Sequence, residues 1–216
     1  MCRLLMIKAT NPKNKIDSNH YLKLFSKMAK TSIEYQGDGW GVAWREENDW
    51  KLYKSENPIW EETFEQINNT DFLLAHVRSA FNNSGSDVES TMPFKKENKL
   101  FIFNGEIRGV KIRSTGKSGA EKLFNFILRL DNGNLYNSLQ RTSKILEKQS
   151  NYIRANNFII IDKNQAYIHN YFNENPDYFT IFKKQDKNVL TVCSEQLDSS
   201  PKWEKIQNKT IEVFKC

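Results

Sequence analysis

The sequence predicts an α+β layered domain in which helices lie between two groups of strands. Three observations lead there. Apolar runs such as "LFIF" and "FIII" have strand length, and the C-terminal part of the chain is rich in such segments. Two stretches, "SNHYLKLFSKMAKTSIEY" and "SGAEKLFNFILRL", carry apolar residues at helical spacing. No repeat, linker or low-complexity segment divides the 216 residues, so 1–216 reads as a single domain.

The elements follow in order. "CRLLMIKA" is a mostly buried strand. The first helix places Tyr21, Leu22, Phe25 and Met28 on one face, with Ser18 as the expected N-cap. "QGDGWGVAWREE" begins as a glycine-rich turn and becomes a strand, and "NDW" turns it into "KLYKS". "PIWEETFEQINN" predicts a short helix. "DFLLAHVRSA" and "KLFIFNGEI" are strands, separated by the long polar loop "FNNSGSDVESTMPFKKEN". Leu123, Phe124, Ile127 and Leu128 share one face of the second helix, and "GNLYNSLQRTSKILEKQS" forms a third. "NNFIIIDKN", "QAYIHNYF", "YFTIFKK", "VLTVCSE" and "TIEVFK" complete the β-rich end. The GKS of "GVKIRSTGKS" is not a phosphate-binding loop, because Lys111 stands where that motif needs glycine; Gly116 and Ser118 read as turn and cap.

Composition excludes several classes. No apolar run approaches the length of about 18 residues that spans a membrane, and the N-terminus lacks the apolar core of a signal peptide. Three cysteines, Cys2, Cys193 and Cys216, are too few and too odd for a disulfide framework and suit a reducing cytoplasm. The net charge of +6 is spread over short solvated turns with no basic run, which argues against nucleic acid and leaves a small anionic substrate as the partner such a field attracts. His20, His76 and His169 are far apart and show no metal-ligand spacing, and nothing calls for a cofactor.

Cys2 follows Met1 directly, and cysteine is small enough for an initiator methionine to be trimmed before it. Trimming leaves a thiol and a free α-amine on one residue, a nucleophile with its own base. The alternative is a small hydrophobe opening a buried strand. Asn104 and Gly105 of "FNGEI" can aim a side-chain and a backbone N–H at one oxygen, or form a plain hairpin turn. Arg78, at the end of "AHVRSA", can grip a carboxylate or make a surface ion pair, and His76 shares its face by the two-residue period.

Taken together, "MCRLL", "GDGWGVAW", "LLAHVRSA", "FIFNGEIRG" and "SGAEKLF" resemble, in order and spacing, the class II glutamine amidotransferase domain of the N-terminal nucleophile hydrolases. "VCSEQLDSSPKWEKI" is similar to the end of the short stand-alone members, so the resemblance runs from Cys2 almost to Cys216. It implies a four-layer αββα sandwich, two antiparallel sheets between helices. It also implies that Cys2 attacks the γ-amide of glutamine, that Asn104 and Gly105 hold the oxyanion, and that Arg78 grips the substrate α-carboxylate. Asp38 and Gly39 of "GDGWG" match the turn beside the nucleophile.

Four departures fall on the recognition shell. Gly119 replaces the family's aspartate for the α-ammonium and only Glu121 of that pattern survives; Phe81 stands where threonine is frequent; Met92 replaces a histidine of "HPF"; Phe103 replaces the histidine of "HNG". A hydrogen bond to a charged group is worth about 1.5–3 kcal/mol, so the lost aspartate weakens free glutamine by roughly ten- to over a hundred-fold unless Glu121 or Asp38 substitutes. Three functions are compatible: a glutaminase or amidotransferase subunit that passes ammonia to a separate synthase, a stand-alone γ-glutamyl amide hydrolase acting on a small metabolite, and a non-catalytic binding protein that keeps the fold.

Overall fold

The computed structural model describes residues 1–47, 49–80 and 87–216. Twelve strands appear among them: β1 (Arg3–Ala9), β2 (Trp40–Glu46), β3 (Asp49–Ser55), β4 (Phe72–Val77), β5 (Phe94–Lys96), β6 (Lys99–Arg108), β7 (Tyr152–Ile161), β8 (Gln165–Asn170), β9 (Phe182–Asp186), β10 (Val189–Cys193), β11 (Glu204–Lys205) and β12 (Thr210–Lys215). They form two antiparallel sheets, one ordered β11-β9-β10-β1-β4-β2-β3 and the other β12-β8-β7-β6-β5. The helices are α1 (Ser18–Thr31), α2 (Gly119–Leu130), α3 (Leu135–Gln149) and the four-residue α4 (Pro176–Phe179).

Side-chain alternation along the strands creates the layers. Leu5 and Ile7 of β1, with Leu73 and Ala75 of β4, face outward against Leu22, Phe25 and Met28 of α1. Leu4, Met6, Phe72 and Leu74 point the other way, into the core shared with the five-stranded sheet. On β6, Phe101 stacks on Phe124 of α2 with centroids 5.0 Å apart. Its odd-numbered positions therefore face the helices, and Leu100, Ile102 and Asn104 face the seven-stranded sheet. The result is helix, sheet, sheet, helices: the αββα sandwich.

Local structure departs from the sequence reading at four places, one of them the expected strand "YFTIFKK": Tyr178 and Phe179 belong to α4, which Pro176 opens, so β9 begins only at Phe182. Asp17, not Ser18, caps α1: its carboxylate accepts the His20 N–H at 3.0 Å, while the Ser18 hydroxyl donates to the Asn68 carbonyl. The helix expected over "PIWEETFEQINN" shrinks to one 3-10 turn, Ile59–Glu61. The Glu62 carboxylate accepts from Tyr53, Ser55 and Asn57, tying the chain to β3, and burial of Phe64 and Ile67 fixes an irregular path. Asn104 and Gly105 do not form a turn; they sit inside the ten-residue β6, opposite Asn157 and Asn156. The capping by Ser118 is as expected, its hydroxyl accepting the Glu121 N–H at 3.1 Å.

Candidate active site

One row of cross-strand neighbours organises the face of the larger sheet that looks toward β6. Leu4 pairs with His76, His76 with Gly41, and Gly41 with Lys54. The ladders end at Val77, which pairs with both Arg3 and Trp40, so Cys2, Arg78 and Gly39 follow at the adjoining ends of three neighbouring strands. Hydrogen bonds agree with that register: Arg78 N–H donates to the Gly39 carbonyl at 2.8 Å, and Ser79 N–H approaches Cys2 Sγ at 3.5 Å.

Asp38 ties the turn before β2 to the chain after β4. Its carboxylate accepts the Ala80 N–H at 2.6 Å and its carbonyl accepts from Arg78 Nη1 at 3.2 Å. Gly39 has φ +104, and a Cβ there would stand 2.8 Å from the Ser55 carbonyl oxygen, so only glycine makes this turn without strain. Cys2, Arg78, Asp38 and Gly39 thus form one corner.

Asn104 faces this sheet from β6. It is fully buried, and neither its amide nitrogen nor its carbonyl oxygen has a partner among the described residues. Its cross-strand neighbour Asn157 differs: that amide donates to the Phe179 carbonyl at 2.6 Å and accepts the Tyr171 N–H at 2.8 Å. His76 lies beside Asn104, its Nε2 3.2 Å from the Phe103 carbonyl oxygen. Burial holds His76 down to about 3, so the ring is neutral. Burial also pushes the Cys2 thiol up, against the opposing pull of the Ser79 N–H and the charges of the N-terminus and Arg78. A raised thiol needs a base to become a thiolate.

Other expected residues stand elsewhere. Glu121 accepts the Lys117 N–H at 2.7 Å and lies 3.9 Å from Lys96, serving the start of α2. Gly119 opens that helix, and a Cβ there would meet nothing within 4 Å. Met92 is buried in the shared core and Phe103 stacks on Phe101. Phe81 lies outside the described residues. Among the described residues no group of three or more His, Cys, Asp and Glu could hold a metal ion, and no helix is long and apolar enough to cross a membrane. Two surface hollows, one lined by Lys27 and Trp60 and the other by Arg113 and Asn125, include neither Cys2 nor Arg78.

Sequence reasoning missed the residues that hold the N-terminus. The Met1 amine pairs with Glu34 and donates to Ser79 Oγ at 2.9 Å; the Met1 carbonyl accepts from Gln36 Nε2 at 2.6 Å and from the Tyr178 hydroxyl. Arg3 is buried beneath them, 3.9 Å over the Tyr178 ring. The available signal was Arg3 itself, a cation inside an apolar strand.

No family model and no curated protein matches the chain. Solved structures do. A glutamine aminotransferase class-II domain protein from Silicibacter pomeroyi is similar with TM-score 0.63 and 16% identity, over 98% of this chain and 94% of that one. A predicted glutamine amidotransferase from Pseudomonas aeruginosa PA01 is similar with TM-score 0.60 and 15% identity, over 99% and 97%. The glutamine phosphoribosylpyrophosphate amidotransferase of B. subtilis gives TM-score 0.61 and 14% identity over 89% of this chain, which spans only 42% of that enzyme. Such identities carry architecture and nothing finer, and with the two sheets and their flanking helices they show that this chain has the αββα fold of class II glutamine amidotransferase domains.

Proposed function

We propose that the chain hydrolyses a γ-glutamyl amide with Cys2 as nucleophile, once Met1 has been removed. The Sγ attacks the γ-carbonyl carbon while the Cys2 amine takes the thiol proton. Negative charge develops on the carbonyl oxygen, where Asn104 Nδ2 and the Gly105 N–H stabilise it. The amine returns the proton to the leaving nitrogen, the C–N bond breaks, and ammonia or an amine departs. Water then hydrolyses the thioester to a carboxylate and restores the thiol. Arg78 grips the substrate carboxylate, and Asp38 and Gly39 shape the corner that presents it. Hydrolysis of glutamine itself gives a glutaminase, and useful transfer of its ammonia needs a separate synthase.

The observation that carries this reading is the Asn104 amide. A buried polar group without a partner costs about 1–3 kcal/mol, and folded proteins rarely keep one without a use. Its place on the face of β6 that looks toward the larger sheet, the sheet whose strands end beside Cys2 and Arg78, supports that use. Gly119 favours a second reading within the same chemistry. Gly119 has no carboxylate and Glu121 is engaged at the start of α2, so neither position answers an α-ammonium, and a substrate with a modified amino end fits that lack.

A glutamine-analogue electrophile, mapped by peptide mass, tests the nucleophile: modification of Cys2 is expected, and modification of Cys193 or Cys216 alone refutes it. Ammonia release from glutamine against turnover of γ-glutamyl anilides, with Cys2→Ala as control, separates the two substrates.

A further inference from the structure

The contacts around Met1 describe a complete amino-acid site. The ammonium lies against the Glu34 carboxylate and 2.9 Å from Ser79 Oγ. Among the described residues Glu34 has one other cation near it, Arg154 at 3.7 Å, which is shared with Glu106. The carbonyl oxygen takes two converging donors, Gln36 Nε2 and the Tyr178 hydroxyl, and Gln36 is fully buried. The side chain packs against the cluster of Ala155, Tyr178 and Phe179 and is 11% exposed. Every one of these groups belongs to the folded body, on the segment before β2, the chain after β4, β7 and α4, so all remain when residue 1 leaves.

Hydrolysis of the Met1–Cys2 bond adds hydroxide to the Met1 carbonyl carbon and a proton to the Cys2 nitrogen. The product is a free amino acid whose carboxylate faces Gln36, Tyr178 and the new Cys2 amine. We infer that the vacated niche binds a free L-α-amino acid with an unbranched apolar side chain. Glu34 and Ser79 read its ammonium, Gln36 and Tyr178 its carboxylate, and the aromatic walls its side chain. The inference rests on the removal of Met1 that the proposed function also requires. Its consequence for that function is inhibition: a carboxylate beside the Cys2 amine favours the protonated form and removes the base.

The test uses the full chain, with loss of Met1 verified by intact mass, and calorimetric titration with L-methionine, L-norleucine, D-methionine and N-acetyl-L-methionine. The two L-amino acids are expected to bind one to one, and the other two at least ten-fold more weakly. Glu34→Gln and Ser79→Ala should each weaken L-methionine, Glu34→Gln by ten-fold or more, with folding of both verified by thermal melts. Cys2→Ala, also trimmed, should still bind it, so the site stands or falls apart from catalysis. The inference is overturned by a purified chain that retains Met1, by no binding to trimmed wild type and Cys2→Ala, or by affinity indifferent to both Glu34→Gln and Ser79→Ala.

Discussion

His76 Nε2 stands 3.2 Å from the carbonyl oxygen of Phe103, a bridge from the larger sheet to the strand that carries Asn104. A carbonyl only accepts, so this nitrogen carries the proton and Nδ1 is left with a lone pair and no partner among the described residues. The contact fixes the backbone one residue before the proposed oxyanion donor. The bond survives protonation, since both nitrogens donate in the cation; what protonation would cost is a charge buried between the layers, which keeps the ring neutral.

That neutrality makes stability depend on pH. Burial holds His76 down to about 3 and His169 down to about 4, whereas the unfolded histidines titrate near 6.5. Below about pH 6.5 the unfolded chain takes up protons that the folded chain refuses. Their contribution is therefore fully present above that pH and is lost as pH falls, at up to about 1.4 kcal/mol per pH unit for each histidine. Urea unfolding between pH 7 and 5 reads the slope. His169→Asn, which removes one of the two, should flatten it by about half, and an unchanged slope contradicts the assignment.

Asn104 separates function from stability. Asn104→Leu removes the orphaned amide and keeps the volume, so the melting temperature should hold or rise. Turnover of the γ-glutamyl substrate should fall by about 10²–10³ in kcat, the usual loss for one oxyanion donor, with a small change in KM. A variant that loses stability and keeps its turnover would mean that Asn104 is part of the packing instead.

The layers were legible because strand and helix periods are local signals: the faces of α1 and α2 and the strands β1, β4 and β6 follow directly from spacing. The grouping of Cys2, Arg78, Asp38 and Gly39 came from the resemblance to the class II domain: the periods place Cys2 and Arg78 at strand ends but do not say which ends meet. What escaped depends on distant contacts. No local pattern reveals that Tyr178 closes over residue 1, that Gln36 is fully buried there, or that Asn–Gly continues a strand where it usually turns one. The four-residue α4 lies in a polar stretch too short to show a period.

Gly105 is needed for space. A Cβ there would sit 2.2 Å from the Ala155 carbonyl oxygen and 2.8 Å from the Phe103 ring. The first is backbone of the neighbouring strand and cannot rotate away. Gly105→Ala should therefore push β6 from β7, cost about 1–3 kcal/mol and slow turnover together with stability. Gly119→Ala, at an open helix start, is the control and should leave the melting temperature within a degree or two or raise it.

Arg3 bears on both the fold and the N-terminus. It is 3% exposed; Nη1 donates to the Tyr178 and Ser194 carbonyls at 3.1 Å each, Nη2 pairs with Glu195 at 2.6 Å, and both Nε and Nη2 reach Ser32 Oγ. Its guanidinium carbon also sits 3.9 Å from the centroid of the Tyr178 ring. Arg3→Met leaves two buried carbonyls without donors and should cost about 3 kcal/mol in urea unfolding. Arg3→Lys keeps the charge but has no planar fork to serve carbonyls, hydroxyl and ring at once, so it should recover less than half of that loss. Because Arg3 holds Tyr178 in place beside residue 1, both variants should also slow electrophile labelling of Cys2 under conditions where they remain folded. If Arg3→Lys matches the wild type in both measurements, the charge alone is what this position requires and the fork geometry is incidental.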